Sequence, residues 1–477
     1  MRRPRSPRWI TLMLLATGLA ALSVSAAATD LVDAWRGAQQ HDLDYAAARA
    51  AQQAGAARRG QASALWRPTV VLSGAAGVAG SDTAVTGAQF SAPGFGTSDG
   101  VAFNTSVNRG TLGRWALSAS LPLVSRERDA QGRQLTLSAD VADLQWQDAR
   151  QALMLNTAQR YFDVVLAQES LRVLRQQQAA VDQALTEARD RYRLGDVPVT
   201  DTHEAAARSE AIAAQRLALE TDLQLKQAAF TDATGLQPEA GQMLLPARDA
   251  APLDTPALAF WLSEAVAHNL LLHTQLVAVE VARQEAAKTS AALSPSVDLI
   301  AQVGNERLSG SGSFDSGGSA SNRSGNRMIG LQLSVPLYTG GMRSARQDEA
   351  QRGIDKAQAQ AARTRQQIEL QTRAAWLGLT VGAGRVNALS QSLAASRLRL
   401  DATRLGRQVG DRTTLDLLNA ENDAATAELV LAQARIDLLM NRLRLAAVAG
   451  RLDEASLQSV NTALQAQAPG IEPLQKQ

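Results

Sequence analysis

The sequence predicts an α+β membrane protein, internally duplicated, with four transmembrane β-strands and long coiled-coil helices in each chain. Three observations carry this. Residues 125–193 and 342–408 each run well past fifty residues without proline, so each can form a helix about 100 Å long. Segments of alternating apolar and polar residues precede both, which is the period of a strand with two unlike faces. The whole plan then recurs, with matching residues displaced by 214–227 positions.

The amino terminus sets the compartment. Arg2, Arg3, Arg5 and Arg8 precede an apolar run from Trp9 to Val24, followed by Ala26-Ala27-Ala28. A basic head, a short apolar stretch and small residues at A-x-A spacing describe a secretory signal peptide; residues 1–28 are expected to be cleaved. The run is shorter than the roughly 18 residues of a spanning helix, and Thr11, Thr17 and Gly18 interrupt it. The chain is formally +2, and residues 1–28 hold four Arg and no acid, so the mature side chains sum to −2. No basic footprint for nucleic acid survives that correction. With no cysteine, a disulfide framework, a thiolate metal site and a lipid-modified amino-terminal Cys are excluded. No second apolar run of about 18 residues follows, so membrane entry falls to β-strands.

The first repeat is expected at 29–255. It begins with a helix at 31–65, then strands at about 68–80 and 111–122 around an external loop at 81–110. Helices at about 125–193 and 199–233 and a linker at 234–256 complete it. The second repeat, 257–449, has a helix at 257–292, strands at about 295–308 and 327–338 around an external loop at 309–326, and helices at about 342–408 and 413–449. A carboxy-terminal tail, 450–477, follows.

Residue patterns justify these elements. In the first rod Leu155, Ala158, Phe162 and Val165 are spaced 3, 4 and 3, one stripe for a neighbouring helix. Trp115, Leu117, Ala119 and Leu121 alternate with Ser118 and Ser120, and Ile329, Leu331, Leu333 and Val335 alternate with Gly330, Gln332 and Ser334. The intervening loops are rich in Gly, Ser, Asn and Asp, as solvent-exposed barrel loops are. The duplication aligns His41-Asp42 with His268-Asn269, Leu117–Leu123 with Leu331–Leu337, Gly195-Asp196 with Gly410-Asp411, and Asp201 with Asp416.

Four strands cannot close a barrel, for which about eight is the practical minimum. An open edge in lipid would leave roughly ten backbone groups unpaired at several kcal/mol each, more than a typical net stability of about 5–15 kcal/mol. The edges must therefore pair with other copies of the chain, two or three being left open by this argument.

Several stretches together resemble the TolC family of outer-membrane efflux and type I secretion channels. The most specific is Leu333-Ser334-Val335-Pro336-Leu337-Tyr338-Thr339-Gly340-Gly341-Met342. Ala158-Gln159-Arg160-Tyr161-Phe162, Arg191–Gly195, Val409–Thr413 and Leu415–Leu418 support it. The resemblance implies a homotrimer whose twelve strands share one barrel in outer-membrane lipid, continued by a helical periplasmic tunnel. It implies a periplasmic adaptor and an inner-membrane transporter of ABC, RND or MFS type as partners. It further implies that residues 234–256 and the tail after 450 wrap the tunnel's middle.

The same resemblance assigns roles to single residues. The helix turns at Gly195-Asp196 and Gly410-Asp411 would meet the adaptor. Thr200, Asp201 and Arg412 would be gate links, with Arg407 standing where the family has a tyrosine and within reach of an acid such as Asp201. Asp416 matches the first acidic position of the pore constriction; Asn419 stands at the second and halves the charge there. An Asp per subunit at a narrow pore makes a ring that favours cations.

No catalytic constellation is present in the sequence. His41, His203, His268 and His273 form no metal-spaced cluster, and the glycines of 310–318 lack the Lys of a phosphate loop. No cofactor is expected. A periplasmic coiled-coil structural or adaptor-like protein without a pore is the alternative; it accounts for the rods and export but not for the two strand pairs.

Overall fold

The computed structural model describes residues 30–465 apart from 95, 239–242, 244, 247–255 and 313–318. The expected signal peptide, most of the linker, part of the second external loop and the end of the tail lie outside the described residues.

Each half opens with a broken helix. α1 (Leu31–His41) and α2 (Leu43–Ala64) meet at Asp42, and α5 (Leu258–His268) and α6 (Leu270–Ala291) meet at Asn269. The single helices expected at 31–65 and 257–292 are thus each two. The cause is the cap residue. Asp42 takes extended backbone and accepts from Tyr45 N, and Asn269 does the same for Leu272 N, satisfying a free donor of the next helix. These are the duplicated His-Asp and His-Asn positions. Among the described residues no single helix is long and apolar enough to cross a membrane.

The strands are β1 (Thr69–Ala92), β2 (Gly96–Val124), β4 (Ser296–Gly312) and β5 (Ser319–Ser334), with β3 (Leu245–Pro246) between the halves. They form an antiparallel sheet in the order β1-β2-β4-β5, leaving β1 and β5 as edges. Residues directly opposite share a face. Val70, Ala119, Ala301 and Ile329 make one row, and Leu72, Leu117 and Val303 the next. Val70, Leu72, Ile329, Leu331 and Leu333 are all exposed, so this face is an apolar band with nothing over it.

The expected loop at 81–110 is mostly ladder instead: β1 and β2 pair from Thr69↔Ser120 out to Ala92↔Gly96. Polarity marked these residues as loop, but ladder bonds are backbone bonds and need no apolar side chain where water covers the faces. Register shifts near Ala79, Val85 and Ala88 absorb the irregular pairing. Likewise β4 runs on to Gly312, four residues past the expected end. β5 stops at Ser334 rather than 338, because Pro336 has no N–H to donate.

Four long helices leave the same end of the sheet or return toward it. α3 (Arg126–Arg193) turns into α4 (Val199–Thr234), and α7 (Met342–Gln408) into α8 (Thr414–Val448). The stripe reads out as packing: Ala158, Phe162 and Val165 are fully buried. The main core lies halfway along the rods. There Tyr161 meets Phe162 and Phe230 edge-on at 5.5 and 6.4 Å, with Trp35, Met440 and Leu443 around them. The tail closes this core. α9 (Glu454–Asn461) buries Leu457 and Val460, β6 (Leu464–Gln465) pairs with β3, and Asn461 bonds Leu31 N at 3.1 Å and Asp30 at 2.9 Å.

Candidate functional site

The two hairpins end in identical turns. Gly195 and Gly410 both have φ of +82°, a left-handed conformation that costs residues with a Cβ. Asp196 N donates to Arg191 O and Gly195 N to Tyr192 O; Asp411 N donates to Gly406 O and Gly410 N to Arg407 O. This crossed pair of bonds closes a helix C-terminus. The residues before each glycine, Leu194 and Val409, are 77% and 75% exposed. Each tip is therefore a fixed backbone turn that exposes one large apolar side chain among charged ones.

The next helix starts differently in the two halves. α4 begins at Pro198 without a side-chain cap. α8 begins with a full capping box: Asp416 N donates to Thr413 Oγ1 at 3.1 Å, and Thr413 N donates to Asp416 Oδ2 at 3.0 Å. Hydrogen bonds from the Thr413 backbone, then from its hydroxyl, and the Arg412 charge hold the Asp416 carboxyl below its usual range. Asn419, one turn on, is exposed.

Arg407 is buried to 7% exposure. Its Nη2 lies 2.9 Å from Glu187 Oε2 on α3, an ion pair by distance though not aligned as a hydrogen bond. Within one chain Arg407 thus pairs with Glu187 and not with Asp201, because its side chain turns inward between the hairpins. Thr200 is exposed and Asp201 half-buried at the start of α4. Neither side chain pairs with Arg412 among the described residues; Arg412 lies over Gly406, where an added Cβ would stand 2.8 Å from its Cγ. One chain brings Arg412 beside Asp416, and leaves Thr200 and Asp201 unlinked to Arg412.

Sequence reading missed a charged belt further up the rods. Glu428 on α8 takes hydrogen bonds from Arg172 on α3 and, at 2.8 Å, from Arg397 on α7. Arg404 reaches Glu421 at 2.6 Å, and Arg399 reaches Asp423 at 2.7 Å. Burial pushes the Glu428 carboxyl up, but the bonds from Arg397 and Arg172 outweigh it and hold it low. Hydrogen bonding to Glu169, foremost, raises Arg172. The partners are 256 and 31 residues apart in the chain, so spacing gave no signal; three helices had to be placed first.

The chain matches the family model "Outer membrane efflux protein" over residues 35–236 and 261–451, once in each half. It is 29% identical to the outer membrane protein TolC of Escherichia coli over 359 residues, covering 73% of this chain and 72% of that protein. It is 28% identical to the proteases secretion protein PrtF of Dickeya chrysanthemi over 451 residues, 93% of both chains. Among solved structures, the Campylobacter jejuni CmeC outer membrane channel superposes with a TM-score of 0.68 at 15% identity, covering 97% of this chain and 98% of that one. The outer membrane protein VceC of Vibrio cholerae gives 0.67 at 18% identity, over 88% and 96%. At those identities the structures establish the fold. With both halves matched by the family model, the chain belongs to the outer membrane efflux protein family.

Proposed function

We propose that this chain is the outer-membrane exit duct of a tripartite efflux or type I secretion system. One observation carries the reading: a four-stranded sheet with an uncovered apolar face and two unpaired edges is continuous with rods of 68 and 67 residues. Lipid satisfies the face, and only sister strands satisfy the edges. Three copies give twelve strands, inside the range of single barrels. The rods, about 100 Å long, then line a passage through the periplasm. Transport through it is passive, and a transporter in the inner membrane supplies the energy.

In this reading the two matching turns at the far end of the rods, each exposing one large apolar residue, Leu194 or Val409, are the place for a protein partner. A periplasmic adaptor fits that place. Asp416 as the constriction, and Thr200, Asp201, Arg407 and Arg412 as gate links between subunits, belong to the same reading. Relatives bear names of both efflux and protease secretion, and the cargo follows the transporter.

The deciding experiment is fractionation and reconstitution of the mature chain. Outer-membrane recovery, an SDS-resistant oligomer that dissociates on heating, and discrete conductance in planar bilayers are expected. A water-soluble monomer without conductance would overturn the proposal.

A further inference from the structure

The apolar face of the sheet does not end in neutral residues. In register, Gly113, Arg307 and Arg323 stand side by side on β2, β4 and β5. Arg307 and Arg323 are thus directly opposite one another, on the face that carries Val303, Ala301 and Leu299. Arg327, opposite Val303, shares that face two rows lower, and Arg109, opposite Ser311, shares it two rows higher. All four are exposed.

Like charges directly opposite in a ladder repel and destabilise it. Nothing described in the chain relieves this pair. Glu306 and Asp298 point to the other face by strand alternation, and Asp298 is engaged with Arg128 at 3.8 Å. Asp82 on β1 pairs with Ser106, beyond the Val107–Gly312 pair and so more than five residues farther from the helices than Arg307. The cluster needs an anion from outside the chain.

Its height says which. From Leu333 to Arg323 is ten residues, about 34 Å along the strand. A strand tilt of roughly 40° reduces this to about 26 Å, close to the roughly 25 Å of an apolar band. Arg307 and Arg323 therefore stand at the rim farthest from the helices, at the depth of lipid head groups. Arg327 lies lower, and its long stem lets the guanidinium rise to the rim. Guanidinium forks match phosphate oxygens two at a time.

We propose that Arg307, Arg323 and Arg327 form a site on the lipid-facing wall for the phosphate groups of an anionic lipid in the outer leaflet. The site rests on the outer-membrane reading above. Each lipid phosphate placed between β4 and β5 turns a repulsive pair into a bridge, so the bound lipid fastens the strand next to the subunit seam.

The test uses the intact oligomer and its R307Q/R323Q/R327Q variant, titrated with diphosphorylated lipid A in zwitterionic detergent. Wild type is expected to bind at least ten-fold more tightly than the variant, and the preference is expected to vanish with dephosphorylated lipid A. Inorganic phosphate is expected not to displace the lipid; full displacement would make this a free-anion site and overturn the proposal. Equal binding by both proteins would overturn it too. A second readout has opposite signs in two media. Arg307→Gln is expected to raise the oligomer's melting temperature in lipid-free detergent, where it removes repulsion, and to lower it with lipid A present. A shift of one sign in both counts against the site. Bilayer conductance of the triple variant is read in parallel. Unchanged conductance with lost lipid binding leaves the duct intact, whereas a wild type without conductance refutes the duct itself.

Discussion

Arg407 on α7 and Glu187 on α3 meet with 2.9 Å between guanidinium and carboxylate, linking the second hairpin to the first just above the tips. The guanidinium is buried, and Glu187 is about half exposed. Removing the carboxylate strands a buried cation, which in a dry interior costs about 3–5 kcal/mol. Water at Glu187 brings that down toward the roughly 0–1 kcal/mol of an exposed pair. Glu187→Gln should therefore loosen the α7–α8 hairpin without unfolding the chain. Single-channel recording should show higher conductance or more frequent opening, while oligomer melting changes little. Conductance identical to wild type would leave Arg407 a packing residue.

Arg412 gives a second handle on the same tip. Its stem rests on Gly406, and a Cβ there would meet its Cγ at 2.8 Å. If Arg412 links the hairpin to a neighbouring subunit, Arg412→Ser removes the link and Gly406→Ala displaces it. Both should raise single-channel conductance, the first more than the second. A surface ion pair alone is worth about 0–1 kcal/mol, so the effect depends on repetition around the ring. Neither variant changing conductance would remove Arg412 from the gate.

The local bonds of Asp416 and its proposed place at the constriction can be separated. As the capping-box partner of Thr413 it accepts the Thr413 backbone N–H and fixes the first turn of α8. As a ring of carboxylates it should favour cations. Asp416→Ala should weaken cation selectivity, seen as a smaller reversal potential under a salt gradient. Because Thr413 holds its carboxyl below the usual range, the charge should persist as pH falls through the ordinary aspartate value of about 3.9. Stability linked to this group has the same sign: present above the unfolded pKa, lost as pH falls through the lower folded one. Selectivity that collapses well above pH 4 would place another group at the constriction.

Asn419 predicts a gain. Its side chain is exposed one turn beyond Asp416, so Asn419→Asp would put a second carboxylate per subunit beside the first. Paired acids bind hard divalent cations through oxygen. Block of conductance by divalent cations should strengthen at least several-fold over wild type, read as a lower half-blocking concentration. An unchanged block would mean that the two residues do not share one ring.

The sequence made the long elements legible because periodicity is local. Rods without proline, alternating strands and glycines at 195 and 410 are each decided within a few turns of chain. Asp42 and Asn269 were equally visible as a repeated pair, yet their meaning as caps escaped a reading that looked for apolar period alone. The loops failed for a different reason. Asp82 and Ser106 pair through their backbones, and polar side chains carry no sign of that. Charge partners such as Arg407 and Glu187 needed helix placement, since 220 residues separate them in the chain.

Glu428 holds three helices at one point. Its carboxylate accepts from Arg172 on α3 and Arg397 on α7 while itself belonging to α8. The Arg172 bond forms only when the α7–α8 hairpin lies against α3, while the Arg397 bond closes the hairpin itself, so the belt should fix the hairpin above the tips and let motion occur below it. Glu428→Gln leaves the volume and removes the charge, with an expected cost of about 2 kcal/mol for a half-buried pair. The low folded carboxyl gives the pH sign. Stability from Glu428 is fully present above the unfolded value of about 4.3 and lost as pH falls through the folded one. Wild-type oligomer should therefore lose heat resistance between pH 5 and the acid range, and E428Q should start lower and show a shallower fall. Arg397→Ala, which breaks only the α7 bond, should have a smaller effect than Arg172→Ala, which also frees Glu169. Parallel acid profiles for wild type and E428Q would show that the belt does not carry the coupling.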